Sequence, residues 1–412
     1  MGARMSVLSL GLLLACGEAP ASDSRPADTD TDTDTDDDTD GDGDEALLRA
    51  AIDGIGDAAE ALAAIAASDG LPVRTASGSY LFACLCGDGD WALAGDHEDW
   101  VGQAMARTGA LSWLEVDISS PDGSLYKFTD GTAWIPDPLG RRYGYDALGT
   151  HSIVHASAAH LERWYGLSGS GLTDRDLHVW VPQDGEFSHT LYVADGQNLF
   201  DPDAAWGGWR LQESLPDDML VVGIENTAAR ITEYTHTTDT LHGTTYGGEG
   251  AAYAALQEEV IRPLIASAYG ESARVGVMGS SLGGLISLYI AHTYPDRYDF
   301  AASLSGTVGW GSLGTSNPTI IELMAAAGHQ APAIYIDSGG SGTCLDADED
   351  GTDDDGSDSD NYCVNLQLRD VLSDIGYTFE VDLWHWHERD APHNEYAWAE
   401  RAFLPLAAFE SI

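Results

Sequence analysis

Arg274-Val-Gly-Val-Met-Gly-Ser-Ser-Leu-Gly-Gly-Leu-Ile-Ser-Leu-Tyr-Ile-Ala291 begins as an apolar, β-branched run, turns through Gly-Ser-Ser-Leu-Gly, and continues as an apolar segment that stops before Pro295. The pattern predicts a buried parallel strand, a tight turn and a helix. Within it, Gly279-x-Ser281-x-Gly283 has the spacing of a nucleophile elbow, where a strained turn lifts a serine hydroxyl above the carboxyl edge of a sheet. Side chains two residues before or after that serine would collide with the strand and helix, which gives both glycines a steric purpose. The N–H of Leu282, at the start of the helix, is then aimed where an oxyanion would form.

Working outward, strands and helices alternate from about residue 172 to the end. Arg175–Pro182, Thr190–Gly196, Met219–Ile224, Phe300–Leu304, Ala333–Asp337 and Phe379–Trp384 read as strands, and 251–269 as a helix kinked by Pro263. Such alternation implies a mostly parallel sheet covered by helices on both faces. Between 71 and about 146, short apolar runs alternate with Gly, Asp and Pro turns, the mark of an antiparallel sandwich. The stripe Leu48, Ile52, Ile55, Ala59, Leu62 and Ile65 predicts one amphipathic helix over 45–70.

The chain has 412 residues, 43% of them hydrophobic, and a formal charge of −50. That charge would repel phosphates, so nucleic acid and anionic membrane surfaces are excluded as partners. Part of it is local. Residues 16–44 are rich in Asp and Thr without apolar periodicity, and read as an extended, structureless linker. Ahead of it, residues 1–15 carry an arginine and a short apolar run typical of a signal peptide. Leu13-Leu-Ala-Cys16 resembles the bacterial lipobox, which implies acylation of Cys16 and export to the outer membrane or cell surface, with membrane contact only through the lipid.

Trp91 to Trp100, Trp113-Leu-Glu-Val, Ser124 to Gly131 and Trp134-Ile-Pro-Asp-Pro138 resemble the early-set immunoglobulin-like domains related to glycogen-binding modules. The resemblance implies an all-β sandwich over 71–150. Trp100 and Trp134 read first as core or interface tryptophans, with stacking on a glycan as the alternative. Cys84 and Cys86 face one side of a strand-like run, and their pairing stays open.

Leu191-Tyr-Val-Ala-Asp-Gly-Gln-Asn-Leu-Phe-Asp201, Val222-Gly-Ile-Glu-Asn226 with Arg230 and Glu233-Tyr234, the elbow, Ile334-Tyr-Ile-Asp-Ser-Gly339 and His393-Asn-Glu-Tyr-Ala-Trp398 resemble the esterase-D-like esterase family of α/β-hydrolases. That family includes feruloyl and other cell-wall acyl esterases, enterochelin esterases, S-formylglutathione hydrolases and mycolyltransferases. The resemblance spans about 172–410 and implies an α/β-hydrolase domain over 165–412 with a mostly parallel central sheet.

Ester cleavage by serine needs a base to take the hydroxyl proton and a carboxylate to hold that base. In α/β-hydrolases they follow in the order serine, acid, histidine. Among thirteen histidines, His393 follows the last strand in a polar loop and matches the family's His-x-Glu-x-x-Trp motif. His385 and His387 alternate along that strand and lack a third ligand for a metal. The acid is expected after the strand ending at Asp337, in a loop swollen by an acidic insertion. Asp360, just ahead of the next helix, leads, with Asp346 and Asp348 behind it. The resemblance gives the backbone N–H of Gln197, after Asp195-Gly196, as the second oxyanion donor.

Asp346-x-Asp348-x-Asp350-Gly351 has the opening spacing of a calcium loop, although Ser357 stands where a bidentate glutamate belongs. A structural calcium ion is one expectation, a solvated acidic loop the other; no cofactor is expected for catalysis. Cys344 and Cys363 bracket the insertion and are expected to form a disulfide. The leading expectation is thus an exported serine carboxylester hydrolase acting on feruloyl- or acetyl-type esters of carbohydrate. An enterochelin-type siderophore esterase is the second, and an inactive glycan-binding surface lipoprotein the third.

Overall fold

A computed structural model describes residues 41–346, 350–353 and 360–412. The signal segment, Cys16 and the linker up to residue 40 lie outside the described residues. Among the described residues, eight strands of one sheet lie in the second part of the chain, apart from a separate two-stranded hairpin at 238–247: β1 His160–Leu167, β2 Arg175–Val181, β3 His189–Ala194, β4 Met219–Ile224, β5 Arg274–Ser280, β6 Phe300–Leu304, β7 Ala333–Ser338 and β8 Leu383–His387. They lie in the order β1-β2-β4-β3-β5-β6-β7-β8; β2 runs antiparallel to both neighbours and every later pair is parallel. The apolar runs of β4 and β6 are buried at every residue, as strands covered on both faces require.

Each face has its own core. On one, Leu285, Ile286 and Leu288 of helix Leu282–Thr293 pack with Tyr253, Ile265, Ile321 and Leu368 from the flanking helices. On the other, Leu199, Phe200 and Trp209 pack with Trp398, Leu406 and Phe409. The helix expected over 251–269 absorbs Pro263 in a particular way. A π turn at Gln257–Ile261 separates helix Gly250–Leu256 from helix Arg262–Tyr269, so the proline lies in a first turn, where its missing N–H leaves no bond unmade. The last strand starts later than expected, at Leu383. Asp382 instead caps a turn by accepting Thr378 N at 2.6 Å, and Glu380 takes a left-handed φ of 59°.

The N-terminal region departs further from the sequence reading. Residues 41–44, expected within the linker, open helix Gly41–Ile52, and a second helix, Ala58–Ala66, follows. The single helix expected over 45–70 breaks because Gly54 and Gly56 adopt φ of +75° and +83°, and Asp57 restarts it by accepting Ala59 N at 2.7 Å. Ile55, assigned to the buried stripe, is therefore 67% exposed.

Strand Tyr80–Cys84 is buried throughout. Leu81 and Ala83 meet these helices, while Tyr80, Phe82 and Cys84 face Leu93, Tyr126 and Phe128 of a second sheet. Cys84 and Cys86 are joined as a disulfide, and so are Cys344 and Cys363. Trp134 is 48% exposed and lies 6.3 Å from the half-buried Trp100, so the two form a surface pair instead of core.

The second sheet does not end where a domain boundary was expected, between 150 and 165. Strand Arg142–Asp146 pairs with β1 through Leu161 and Glu162, so one sheet runs from the N-terminal region into the eight strands. The physical reason is an edge: β1 has an outer row of backbone donors and acceptors that needs a partner. Arg141 fastens the same junction. Fully buried, it donates to Arg163 O at 2.5 Å, to Ala66 O at 2.9 Å and to Ser68 O, and lies 3.6 Å over the Trp164 ring. Replacing Arg141 with Ala strands these carbonyls and is expected to lower unfolding stability by about 3 kcal/mol, read by urea denaturation.

Asp137, also buried, accepts Tyr126 Oη at 3.0 Å and Leu139 N at 2.9 Å. Burial raises its pKa from 3.8 to about 7. Between those values the folded protein holds a proton that the unfolded chain has released, so the stabilisation is complete below 3.8 and fades as pH rises to about 7. The melting temperature of wild type relative to Asp137→Asn is expected to fall over that interval.

Candidate active site

At the carboxyl end of β5 the chain makes the expected elbow. Ser281 has φ 57° and ψ −123°, and the helix begins at Leu282. Two glycines make this possible. A Cβ on Gly279 would lie 2.5 Å from the Gly283 carbonyl, and one on Gly283 would lie 3.1 Å from Ala194 Cβ and 3.2 Å from Asp195 Oδ2. Ser281 N donates to Leu304 O at 2.9 Å, which ties the turn to the end of β6. The N–H of Leu282 is the first of its helix and has no intrahelical acceptor.

Beside the elbow, β3 runs into Asp195, in a left-handed conformation, and the single turn Gly196–Asn198. A Cβ on Gly196 would lie 2.5 Å from the Gly223 carbonyl carbon, so only glycine lets this turn lie against β4. Arg230 grips the Asp195 carboxylate with Nε and Nη2, each at 2.7 Å, and Asn226 Nδ2 adds a bond of 2.6 Å. Burial opposes the Arg230 charge, but the adjoining carboxylate outweighs it and raises the guanidinium pKa. Gln197 Oε1 accepts Asn226 N at 3.2 Å, which turns that side chain toward the 226 loop. Asn198 Nδ2 donates to Glu395 Oε1 at 3.2 Å and so links this turn to the loop that carries His393.

His393 Nδ1 meets Asp360 Oδ1, and the imidazole stands edge-on to Trp398 with centroids 5.0 Å apart. With Asp360 ionised, the shared proton belongs to Nδ1 and leaves Nε2 as the basic nitrogen. Oδ2 of the same carboxylate accepts Ser305 Oγ at 2.6 Å and Gly339 N at 2.5 Å. The next residue, Asn361, donates to Ser305 O at 2.8 Å and Thr307 Oγ1 at 3.4 Å; Thr307 Oγ1 in turn lies 3.4 Å from Ser281 Oγ. A short polar path thus runs from the serine to the segment holding the acid.

The structure brings Asp360 to His393 and leaves Asp346 elsewhere, its oxygens accepting Asp350 N and Gly351 N at 3.0 Å each. Asp348 and Ser357 lie outside the described residues, and among the described residues no group of three or more His, Cys, Asp or Glu could hold a metal ion. His387 Nε2 contacts Gly340 O at 2.9 Å, and burial pushes the His385 imidazole down to about 4. Sequence reasoning missed Ser305, Asp337 and Arg401, which surround Asp360 from behind. The one available signal was Arg401 itself, a cation three residues after Trp398 in a chain with only 18 Lys and Arg.

The model of the "Putative esterase" family matches residues 170–400. The uncharacterized protein YbbA of Bacillus subtilis is 30% identical over 125 residues, 28% of this chain and 49% of that protein, so the chain spans about half the length of the curated relative it matches. Among solved structures, it is similar to the enterobactin esterase FES from Shigella flexneri, with TM-score 0.44 and 16% identity over 81% of this chain and 93% of that one. It is also similar to the siderophore hydrolase EstA from Aspergillus nidulans, with TM-score 0.43 and 17% identity over 58% and 92%. Since the family match covers more than half of the sequence, the chain belongs to the "Putative esterase" family, and its 170–400 segment is a hydrolytic esterase domain.

Proposed function

We propose that this protein is a serine carboxylester hydrolase in which Ser281 is the nucleophile, His393 the base and Asp360 the acid that orients it. The observation that carries the reading is the Asp360 carboxylate on His393 Nδ1, together with a serine held in the strained elbow and linked through Thr307 Oγ1 to Asn361, the neighbour of the acid. In this mechanism His393 Nε2 takes the hydroxyl proton as Ser281 Oγ bonds to the ester carbonyl carbon. The oxyanion receives the N–H groups of Leu282 and Gln197. As the intermediate collapses, the proton passes from His393 to the departing alkoxide, and the alcohol leaves an acyl-serine. Water, deprotonated by the same nitrogen, then cleaves the acyl-enzyme and returns the proton to Ser281.

The substrate class in this proposal is an acyl ester of carbohydrate, of feruloyl or acetyl type. The exposed Trp134 beside Trp100, on a region that resembles early-set immunoglobulin-like domains, supports a sugar-facing N-terminal half. The charge of −50 disfavours anionic ferric catecholates. Export as a lipoprotein anchored through Cys16 completes the proposal; among the described residues, no helix is long and apolar enough to cross a membrane.

Ser281→Ala and His393→Ala are each expected to lower kcat for p-nitrophenyl acetate by about 10⁴-fold or more, and Asp360→Asn by less. Unchanged turnover in Ser281→Ala overturns the assignment. On a panel of feruloylated sugars, acetylated xylan and enterobactin, carbohydrate esters are expected to turn over best; preference for enterobactin overturns the substrate class.

A further inference from the structure

Behind the acid, the ends of β6 and β7 meet the C-terminal helices around a single hydroxyl. Ser305, the residue after β6, is fully buried in a left-handed conformation with φ 48°. Its Oγ lies 2.7 Å from Arg401 Nη2, 3.1 Å from Trp398 Nε1 and 2.6 Å from Asp360 Oδ2. The proton inventory of this node is forced. Guanidinium and indole nitrogens only donate, so they occupy both lone pairs of the hydroxyl and leave its one proton for the carboxylate. Asp360 Oδ2 must therefore accept, and Gly339 N donates to the same oxygen.

Arg401 is itself held by a second buried carboxylate. Its Nε lies 3.0 Å from Asp337 Oδ2 and its Nη2 3.1 Å from Asp337 Oδ1, while Nη2 is 3.8 Å from Asp360 Oδ2. Asp337 is fixed in turn by Tyr335 Oη and Ser305 N, each at 3.1 Å. An ion pair this deeply buried is costly, and apolar residues of equal volume would often serve stability as well. What apolar residues could not do is direct a proton at Asp360.

We propose that Ser305 and Arg401 are positioning residues for the reaction: they hold Asp360 as an oriented anion and thereby keep the His393 proton on Nδ1 and Nε2 free. The inference rests on the reading of Ser281, His393 and Asp360 as the reacting set. The ionisable groups that bear on Asp360 and His393 are Arg401 and Asp337 beneath them, Tyr335 on β7, Glu395 after His393, and the Asp195–Arg230 pair beyond Asn198.

The test is the pH profile of kcat/KM for Ser305→Ala and Arg401→Lys, with Ser281→Ala alongside and melting temperatures for all. Removing a donor or spreading the cation leaves the Asp360 charge less compensated, which favours protonated His393. Ser305→Ala is expected to lower kcat/KM on the order of tenfold and to move the acid limb up by about half a unit or more. Arg401→Lys keeps the charge without the planar fork and is expected to shift the limb in the same direction by less; it carries the test if Ser305→Ala does not fold. A lowered melting temperature with an unmoved acid limb overturns the inference alone. Full turnover in Ser281→Ala overturns the reacting set and the inference with it.

Discussion

A carboxylate removed from water must be surrounded by donors, and in this protein that demand falls on Asp360. Donors reach it from the end of β6 through Ser305, from the end of β7 through Gly339, and from the last loop through His393. None of these groups is near the others in sequence. Their convergence fixes how the sheet's carboxyl edge, the acidic insertion and the C-terminal helices fit together. The Cys344–Cys363 disulfide closes the insertion just behind, with the two Cα atoms 5.2 Å apart, so the loop enters and leaves at almost one place.

The opposite side of the elbow solves a different problem with the same means. The Gly196–Asn198 turn must approach β4 closely, which only glycine permits at 196, and must also be kept from moving. Arg230 and Asn226 clamp Asp195 on one side, and Glu395 takes the Asn198 amide on the other. Since Glu395 follows His393 by two residues, the proposed base and the proposed oxyanion donor share one support.

Much of this was legible in the sequence where local chemistry decides the outcome. The elbow was readable because its glycines answer collisions a few residues away, and β4 and β6 because strands buried on both faces are apolar at every position. His393 was readable from its place after the last strand. Asp360 was less so, since an insertion obscures its distance from β7. Features set by tertiary contact were out of reach: the Ser305 node needs three segments to meet, and the passage of the sheet through 150–165 depends on which edges find each other. The broken N-terminal helix is a different failure. Gly54-Ile-Gly56 was in plain view, but periodicity is insensitive to a break that keeps nearly the same phase.

Strand Arg142–Asp146 also has a protective effect that its place in the sheet makes unavoidable. It covers the margin of β1 at Leu161 and Glu162, which would be bare without the N-terminal region. A chain trimmed to begin at β1 would offer that margin to any extended polypeptide nearby, including its own copies. The N-terminal half therefore shields part of an edge of the sheet that carries the esterase segment.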